Sequence, residues 1–441
     1  MKRIKWILAG LVAASLSTTL AQDTSYEDVD PSGQEVVFWH VHSGANQEAL
    51  NQIVADFNES NEYGITVVAE DQGSYPDLFQ KMLPLIGTNG MPDLLLAYQN
   101  QAATYQLGDA LVDMAPLIES EQWGYDEEEY EDFYEGFIQS DVFPTFDNAQ
   151  LGWPPNRSME VMFYNQEWMN ELGYDEFPAN PEEFRELVCA ASQNPFSGSQ
   201  GTGSIGYEIT VGASTMASWI FAFGGDVFDA ENDRYTYDSP EAVEAMTFLQ
   251  GLINDGCAAI ETEQYGAQAN FGVGSTLVAT GSSVGIPYYE SAVEAGAGHE
   301  FDVAAFPYVG DEPAMNVYGP SVSIPDNNDP EKVVASWLFL KYYTSPEVQA
   351  EWARVSNYFP VRESVADELG SYFEENPKYE TAFSLLDYGK AEPATPGYDF
   401  VRNEIEDTLA DIFTGGDVEA ALADLNEEAN AIHEEQLDQL Q

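Results

Sequence analysis

Three short extended segments, each stiffened by proline, divide this chain. Residues 150–166, QLGWPPNRSMEVMFYNQ, set Trp153-Pro154-Pro155 ahead of the apolar run Val161-Met162-Phe163-Tyr164. Proline fixes φ and biases the residue before it away from helix. The first part therefore reads as an extended crossing, and the second as a short buried strand. Asn156, Arg157 and Ser158 are held between these two apolar pieces, which suits a hinge whose side chains face a cleft. Gly319-Pro320-Ser321-Val322-Ser323-Ile324-Pro325 and Tyr358-Phe359-Pro360-Val361 read as two further crossings. Three crossings make each of two lobes discontinuous and imply a shared multi-strand hinge. The length of 441 residues also exceeds one typical core.

Between the crossings, strand and helix signals alternate. Glu35 to Trp39 is a β-rich run. A helix follows with Leu50, Ile53, Val54 and Phe57 on one face. Ile65 to Ala69 is a second strand, Tyr75-Pro76-Asp77 opens a helix, and Asp93 to Tyr98 is a third strand buried on both faces. This β-α-β-α-β order predicts a parallel sheet with right-handed crossovers. The second half repeats the style. Asn180-Pro181-Glu182-Glu183 and Ser239-Pro240-Glu241 start helices, and Ile205–Ile209, Thr276–Gly281 and Phe301–Phe306 are strands. The expected architecture is an α/β protein with residues 35–152 and 308–356 in lobe 1, and 153–307 and 357–441 in lobe 2. Ligands of open α/β sheets bind beyond the carboxyl ends of strands, so two such sheets facing each other enclose a cleft.

The N-terminus predicts the compartment. Lys2, Arg3 and Lys5 precede the apolar run Trp6 to Leu16 and the small-residue site at Thr19-Leu20-Ala21. Residues 1–21 are expected to be a cleaved secretory signal, too short for a stable membrane anchor. Residues 22–34 read as a disordered acidic leader. The formal net charge is −63, and loss of residues 1–21 would keep 11 basic residues against 77 acids. Nucleic acid and anionic membranes are thereby excluded as partners, since phosphate contacts need basic side chains. Cys189 and Cys257 are the two cysteines. In an exported protein they form one disulfide or remain two buried thiols, and the bridge is the expected state. Neither shows metal-ligand spacing, and no metal or cofactor is expected.

Several short motifs recur in a defined order: Phe38-Trp39-His40, Gly73-Ser74-Tyr75, Tyr98-Gln99, Phe163-Tyr164-Asn165, Phe223-Gly224-Gly225-Asp226 and Tyr358-Phe359-Pro360-Val361. Arg402 then stands ahead of Ile412-Phe413-Thr414-Gly415. In this order and spacing, over about residues 35–430, the chain resembles the extracellular solute-binding proteins of ABC importers, of the maltose-binding kind. It is most similar to their glycerol-3-phosphate-binding and sugar-binding members. The resemblance implies a two-lobed periplasmic-binding-protein fold of type II. It also implies a monomer that captures a sugar, polyol or glycerol phosphate outside the cytoplasm, delivers it to a membrane permease and performs no chemistry. It places Tyr75, Gln99, Ser158, Ser282 (or Ser283), Gly319, Tyr358 and Arg402 at the ligand. Gln99 stands where the family has an acidic residue, and Arg157 is an additional cation beside Ser158.

The residue types fit such a ligand. Hydroxyls need donors and acceptors, and sugar C–H surface needs an aromatic face. Trp39, Tyr75, Trp219 and Tyr358 are the aromatic candidates, each competing with plain core packing. His40 is either a ligand contact or a satisfied structural histidine. Arg402 and Arg157 could clamp a phosphate through their planar forks, or sit in internal ion pairs. The alternative function is a secreted carbohydrate-active hydrolase. Gly281-Ser282-Ser283-Val284-Gly285 fits the G-x-S-x-G pattern of a nucleophile elbow, although such a pentapeptide arises easily in a Gly- and Ser-rich chain.

Overall fold

The computed structural model describes residues 26–263 and 265–440. The expected signal at 1–21 lies outside them. The first sheet runs in the order Ser321–Ser323, Leu94–Ala97, Glu35–His40, Thr66–Asp71. Its three N-terminal strands are parallel, and Ser321–Ser323 joins antiparallel at the Leu94–Ala97 edge. All four residues of Leu94–Ala97 are buried, as a strand covered on both faces requires. The helix Gly44–Ser60 buries Leu50, Ile53, Val54 and Phe57. Pro330–Tyr343 packs Trp337, Phe339 and Leu340 into the same core.

The second sheet runs Ala258–Ile260, Ile205–Ile209, Thr276–Ser282, Ser158–Asn165, Met315–Tyr318, Gly389–Lys390, with Phe301–Ala304 also paired to Ser158–Asn165. Every residue of Ser158–Asn165 is buried. The helices Pro181–Gln193 and Pro240–Asn254 begin where the sequence places their caps. Asn180 Oδ1 accepts from Glu183 N at 2.9 Å, and Ser239 Oγ from Ala242 N at 3.2 Å. The Cys189 and Cys257 sulfurs are bonded and close a separation of 68 residues. That bridge ties the first of these helices to the start of the edge strand Ala258–Ile260.

The three crossings are hydrogen-bonded to one another, with the first in the middle. Trp153 and Val322 exchange N–H···O bonds of 3.0 Å in both directions. Arg157 and Phe359 do the same, at 3.3 and 2.8 Å. Gln349 braces the first and third crossings, donating to Pro155 O at 2.8 Å and accepting from Val361 N at 3.1 Å. Gly319 has φ +154°, and a Cβ there would meet Asn156 O at 3.2 Å and Arg157 Cα at 3.3 Å. The second crossing therefore needs glycine where it passes the first.

Two expected boundaries shift. Residues 308–318 do not belong to lobe 1, because Val317 and Tyr318 pair with Met159 and Ser158 in the second sheet. The chain changes lobes at Gly319-Pro320. The leader is not disordered where it is described. Tyr26 is buried and its carbonyl accepts from Trp123 Nε1 at 2.8 Å, while Gly33 N donates to Tyr63 O. An aromatic anchor and two backbone bonds outweigh the acidic composition that suggested solvation.

Candidate ligand-binding site

A cavity of about 380 Å³ lies between the lobes. The first lobe contributes Tyr75, Pro76 and the segment Tyr98 to Gln101. The second contributes Ser214, Val317, Tyr318, Glu392, Pro393, Tyr398, Asp399 and Arg402. Tyr98–Gln101 sits directly after the buried strand Leu94–Ala97 and opens the helix Gln99–Gln106, so the strand's carboxyl end aims it at the gap. Tyr398, Asp399 and Arg402 lie on the first turns of the helix Tyr398–Phe413. The lobes touch here. Asn100 and Gln101 both donate to Asp399, and Gly397 N donates to Thr104 Oγ1 at 3.1 Å.

Glu392 organises the second-lobe wall. Its Oε1 accepts from Ser214 Oγ at 2.6 Å and Asn316 Nδ2 at 3.1 Å. Its Oε2 accepts from Tyr398 OH at 2.8 Å and from Arg402 Nη1. Burial works against this carboxylate, but Arg402 and the hydrogen-bond donors outweigh it and hold the group below its ordinary range. Arg402 Nη2 also reaches Ser214 Oγ at 3.3 Å, and about a third of its side chain stays accessible. The phenols of Tyr75, Tyr98, Tyr318 and Tyr398 are all pushed up by burial. They remain protonated at neutral pH, each a hydroxyl on an apolar ring. A larger, more open chamber of about 900 Å³ is lined by Ser43 from the first lobe and by Thr210, Glu261, Glu263, Ser282 and Tyr288 from the second. Ser282 partly offsets the effect of burial on the Tyr318 phenol, so that side chain adjoins both spaces.

The residues singled out from sequence divide sharply. Tyr75, Gln99 and Arg402 line the interlobe cavity. The Gln99 amide also donates to Asp141 Oδ1, Gly319 O and Ser321 Oγ, tethering the cavity to the hinge. Tyr358 stacks on Trp352 with ring centroids 6.4 Å apart and neighbours Tyr75. Ser282 lines the larger chamber. Gly319 is a hinge residue whose carbonyl faces Gln99.

Five others are elsewhere. Arg157 is buried and salt-bridged to Asp141 at 2.9 Å, with further bonds to Ser140 Oγ, Ser321 Oγ and the Phe137, Asn156 and Pro320 carbonyls. It holds crossings together instead of clamping a phosphate, because an arginine between apolar pieces finds partners inward. Ser158 Oγ donates to the Tyr318 carbonyl at 3.2 Å and is buried. Trp219 is fully buried in the second core, its Nε1 donating to Tyr207 OH. His40 is buried, and its Nδ1 accepts from His42 N at 3.1 Å. Trp39 donates to Glu70 and lines a separate first-lobe pocket beside Asp93 and Lys332. Sequence reasoning missed Asn100, Gln101, Ser214, Tyr318, Glu392, Tyr398 and Asp399. Tyr98 lay inside a quoted motif without being taken as a site residue.

Residues 52–381 match the family described as bacterial extracellular solute-binding protein. The chain belongs to this family. Among curated relatives, this solute-binding protein is 23% identical over 394 residues to the sn-glycerol-3-phosphate-binding periplasmic protein UgpB of Rhizobium meliloti, with 86% of each chain covered. It is 22% identical to UgpB of Escherichia coli, over 86% of this chain and 88% of the relative. Its fold is that of UgpB from Mycobacterium tuberculosis, solved with glycerophosphocholine (TM-score 0.77, 22% identity, 92% of this chain and 100% of the other). It is also that of the cyclic alpha-maltosyl-1,6-maltose binding protein from Arthrobacter globiformis (TM-score 0.76, 21% identity, 91% and 99%).

Beneath the cavity floor of the solute-binding protein lies Glu160, buried on the strand Ser158–Asn165 and hydrogen-bonded by Ser218 and by Thr215 at 3.3 Å. Burial pushes its carboxyl up to about 7, the nearby Glu392 charge adding to the shift against those hydrogen bonds. The folded state thus holds this proton more tightly than the unfolded chain, so this group's contribution falls as pH rises from the unfolded carboxylate pKa through about 7. Glu160→Gln is expected to remove that component and stabilise the fold at pH 8 by about 1–2 kcal/mol. Urea unfolding at pH 5.5 and pH 8 checks this, and an unchanged pH slope refutes it.

Proposed function

We propose that this solute-binding protein captures a sugar, polyol or glycerol phosphate between its lobes and delivers it to the membrane permease of an ABC importer. The observation that carries the reading is the interlobe cavity, to which both lobes bring hydroxyl, amide and charged groups around aromatic rings. A ligand there touches both lobes only when they are closed, so it favours closure by its differential contacts. The ligands of the relatives support the ligand class, and membership of an extracellular solute-binding family supports action outside the cytoplasm; residues 1–21 would be removed on export. No helix among the described residues is long and apolar enough to cross a membrane.

The hydrolase alternative finds little support at its own motif. Ser283 is fully buried and its Oγ accepts from Met159 N at 3.3 Å. The nearest histidine in sequence, His299, packs edge-on against Phe196 and Phe271. Calorimetry with ribitol, maltose, maltotriose and sn-glycerol 3-phosphate tests the reading, with small-angle scattering on the same samples. One-to-one binding with compaction and no turnover of the probe is expected. Product formation, or heat with none of the probes, overturns it.

A further inference from the structure

The interlobe cavity is poorly charged for a phosphomonoester. Two carboxylates, Glu392 and Asp399, line it against one guanidinium, Arg402. That guanidinium is already paired to Glu392, and Glu392 itself has both oxygens satisfied by donors from Ser214, Asn316 and Tyr398. The charge of Arg402 is thus matched before any ligand arrives. Arg157, the second cation a phosphate clamp would use, is committed to Asp141 in the hinge. The larger chamber adds Glu261 and Glu263 and, among its described lining residues, no cation.

A phosphomonoester brings close to two negative charges at neutral pH. Its recognition rests on free guanidinium forks, ammonium groups or helix N-termini. Four helices start at the cavity; Asp399 and Asp77 occupy the first turns of Tyr398–Phe413 and Tyr75–Met82, where a carboxylate takes the favourable end of the dipole, and Gln99–Gln106 and Ala213–Ala222 bring only uncharged donors. Repulsion between like charges is stronger in a partly desolvated cleft than in water. Uncharged hydroxyls avoid that penalty, and the protonated phenols of Tyr75, Tyr98, Tyr318 and Tyr398 both donate and accept hydrogen bonds. Their rings offer the C–H surface of a sugar or polyol an apolar face.

We infer that Glu392 and Asp399 are specificity-determining residues that bias this cleft toward uncharged sugars and polyols and against phosphomonoesters. The inference rests on the proposed capture of a small solute between the lobes, and it parts this chain from the glycerol-3-phosphate-binding relatives it matches.

The test is calorimetry of the chain from residue 22 with ribitol, maltose, maltotriose and sn-glycerol 3-phosphate, on the parent, Glu392→Gln and Asp399→Asn. At least one neutral probe is expected to bind, with sn-glycerol 3-phosphate about 100-fold weaker than the best of them. Asp399→Asn, which keeps the size of the side chain, is expected to narrow that gap about tenfold by removing one like charge. Should Glu392→Gln fail to fold, Asp399→Asn with a parental melting temperature decides alone. Tighter binding of sn-glycerol 3-phosphate than of every neutral probe overturns the inference and leaves solute capture standing. So does an unchanged gap in a folded Asp399→Asn. Absence of heat with all four probes overturns solute capture of this ligand class, and the inference falls with it.

Discussion

Arg157→Ala is expected to destabilise the folded chain by about 3–5 kcal/mol. Arg157 and Asp141 side chains are 3% and 1% exposed. Removing the guanidinium leaves a buried carboxylate, already pushed up from its ordinary range by burial, without its counter-charge. Hydrogen bonds from Ser321 Oγ at 2.6 Å and Gln99 Nε2 at 3.1 Å remain, but neither carries charge. The same loss frees the Phe137, Asn156 and Pro320 carbonyls, so the first and second crossings lose a shared tie. Close packing reinforces the effect, since Gly152 leaves no room for a Cβ against Asp141 Oδ1. Asp141→Ala alone should cost a similar amount, and the double substitution clearly less than the sum, because each single change strands the other's charge. Urea unfolding of the three variants measures this. A parental midpoint for Arg157→Ala sinks the hinge assignment. Parental stability with lost ligand binding would return Arg157 to the cleft.

The fate of Arg157 shows what a sequence reveals about such a site. Proline marked the three crossings, because its backbone restriction is local and survives into the folded state. Apolar neighbours on both sides set Arg157 apart from a surface arginine and suggested a residue facing the cleft. They carried no sign of the inward direction, since its partners come from Asp141 upstream and from Ser321 on another crossing. Trp219 and His40 failed for the same reason: a large or titratable side chain beside a motif is more often satisfied inside its own lobe. The boundary at residue 308 missed because the strand Met315–Tyr318 is only four residues long, too short for its alternation to declare a sheet. Arg402 was legible through the resemblance, which places an arginine ahead of Ile412-Phe413-Thr414-Gly415, and it is one of only 14 basic residues. Glu392 was illegible through abundance, one of 77 acids in a proline-containing loop with no periodic signal. Only the fold shows that the scarce cation and that particular acid share a wall.

That pairing shapes the expected effect of Arg402→Ala, a loss of about 100-fold in ligand affinity, or about 3 kcal/mol. Two losses combine. The ligand loses a charged donor in a partly desolvated cavity, and Glu392 loses the neighbour that keeps its buried carboxylate ionised. The second loss has a signature of its own. In the parent, Glu392 stays charged across neutral pH, and its acceptor pattern is constant. In Arg402→Ala the burial penalty is no longer outweighed, so the carboxyl's pKa moves up and its acceptor pattern changes within the measurable range. Affinity of the variant should therefore vary more steeply between pH 5.5 and pH 8 than that of the parent. Arg234→Ala, at an exposed position, is the control and should leave affinity unchanged. Calorimetry with the best-binding probe separates the outcomes. Parental affinity removes Arg402 from the site. A loss with the parent's pH dependence keeps Arg402 at the ligand but assigns it a direct contact, with Glu392 held in its charged form by Ser214, Asn316 and Tyr398 alone.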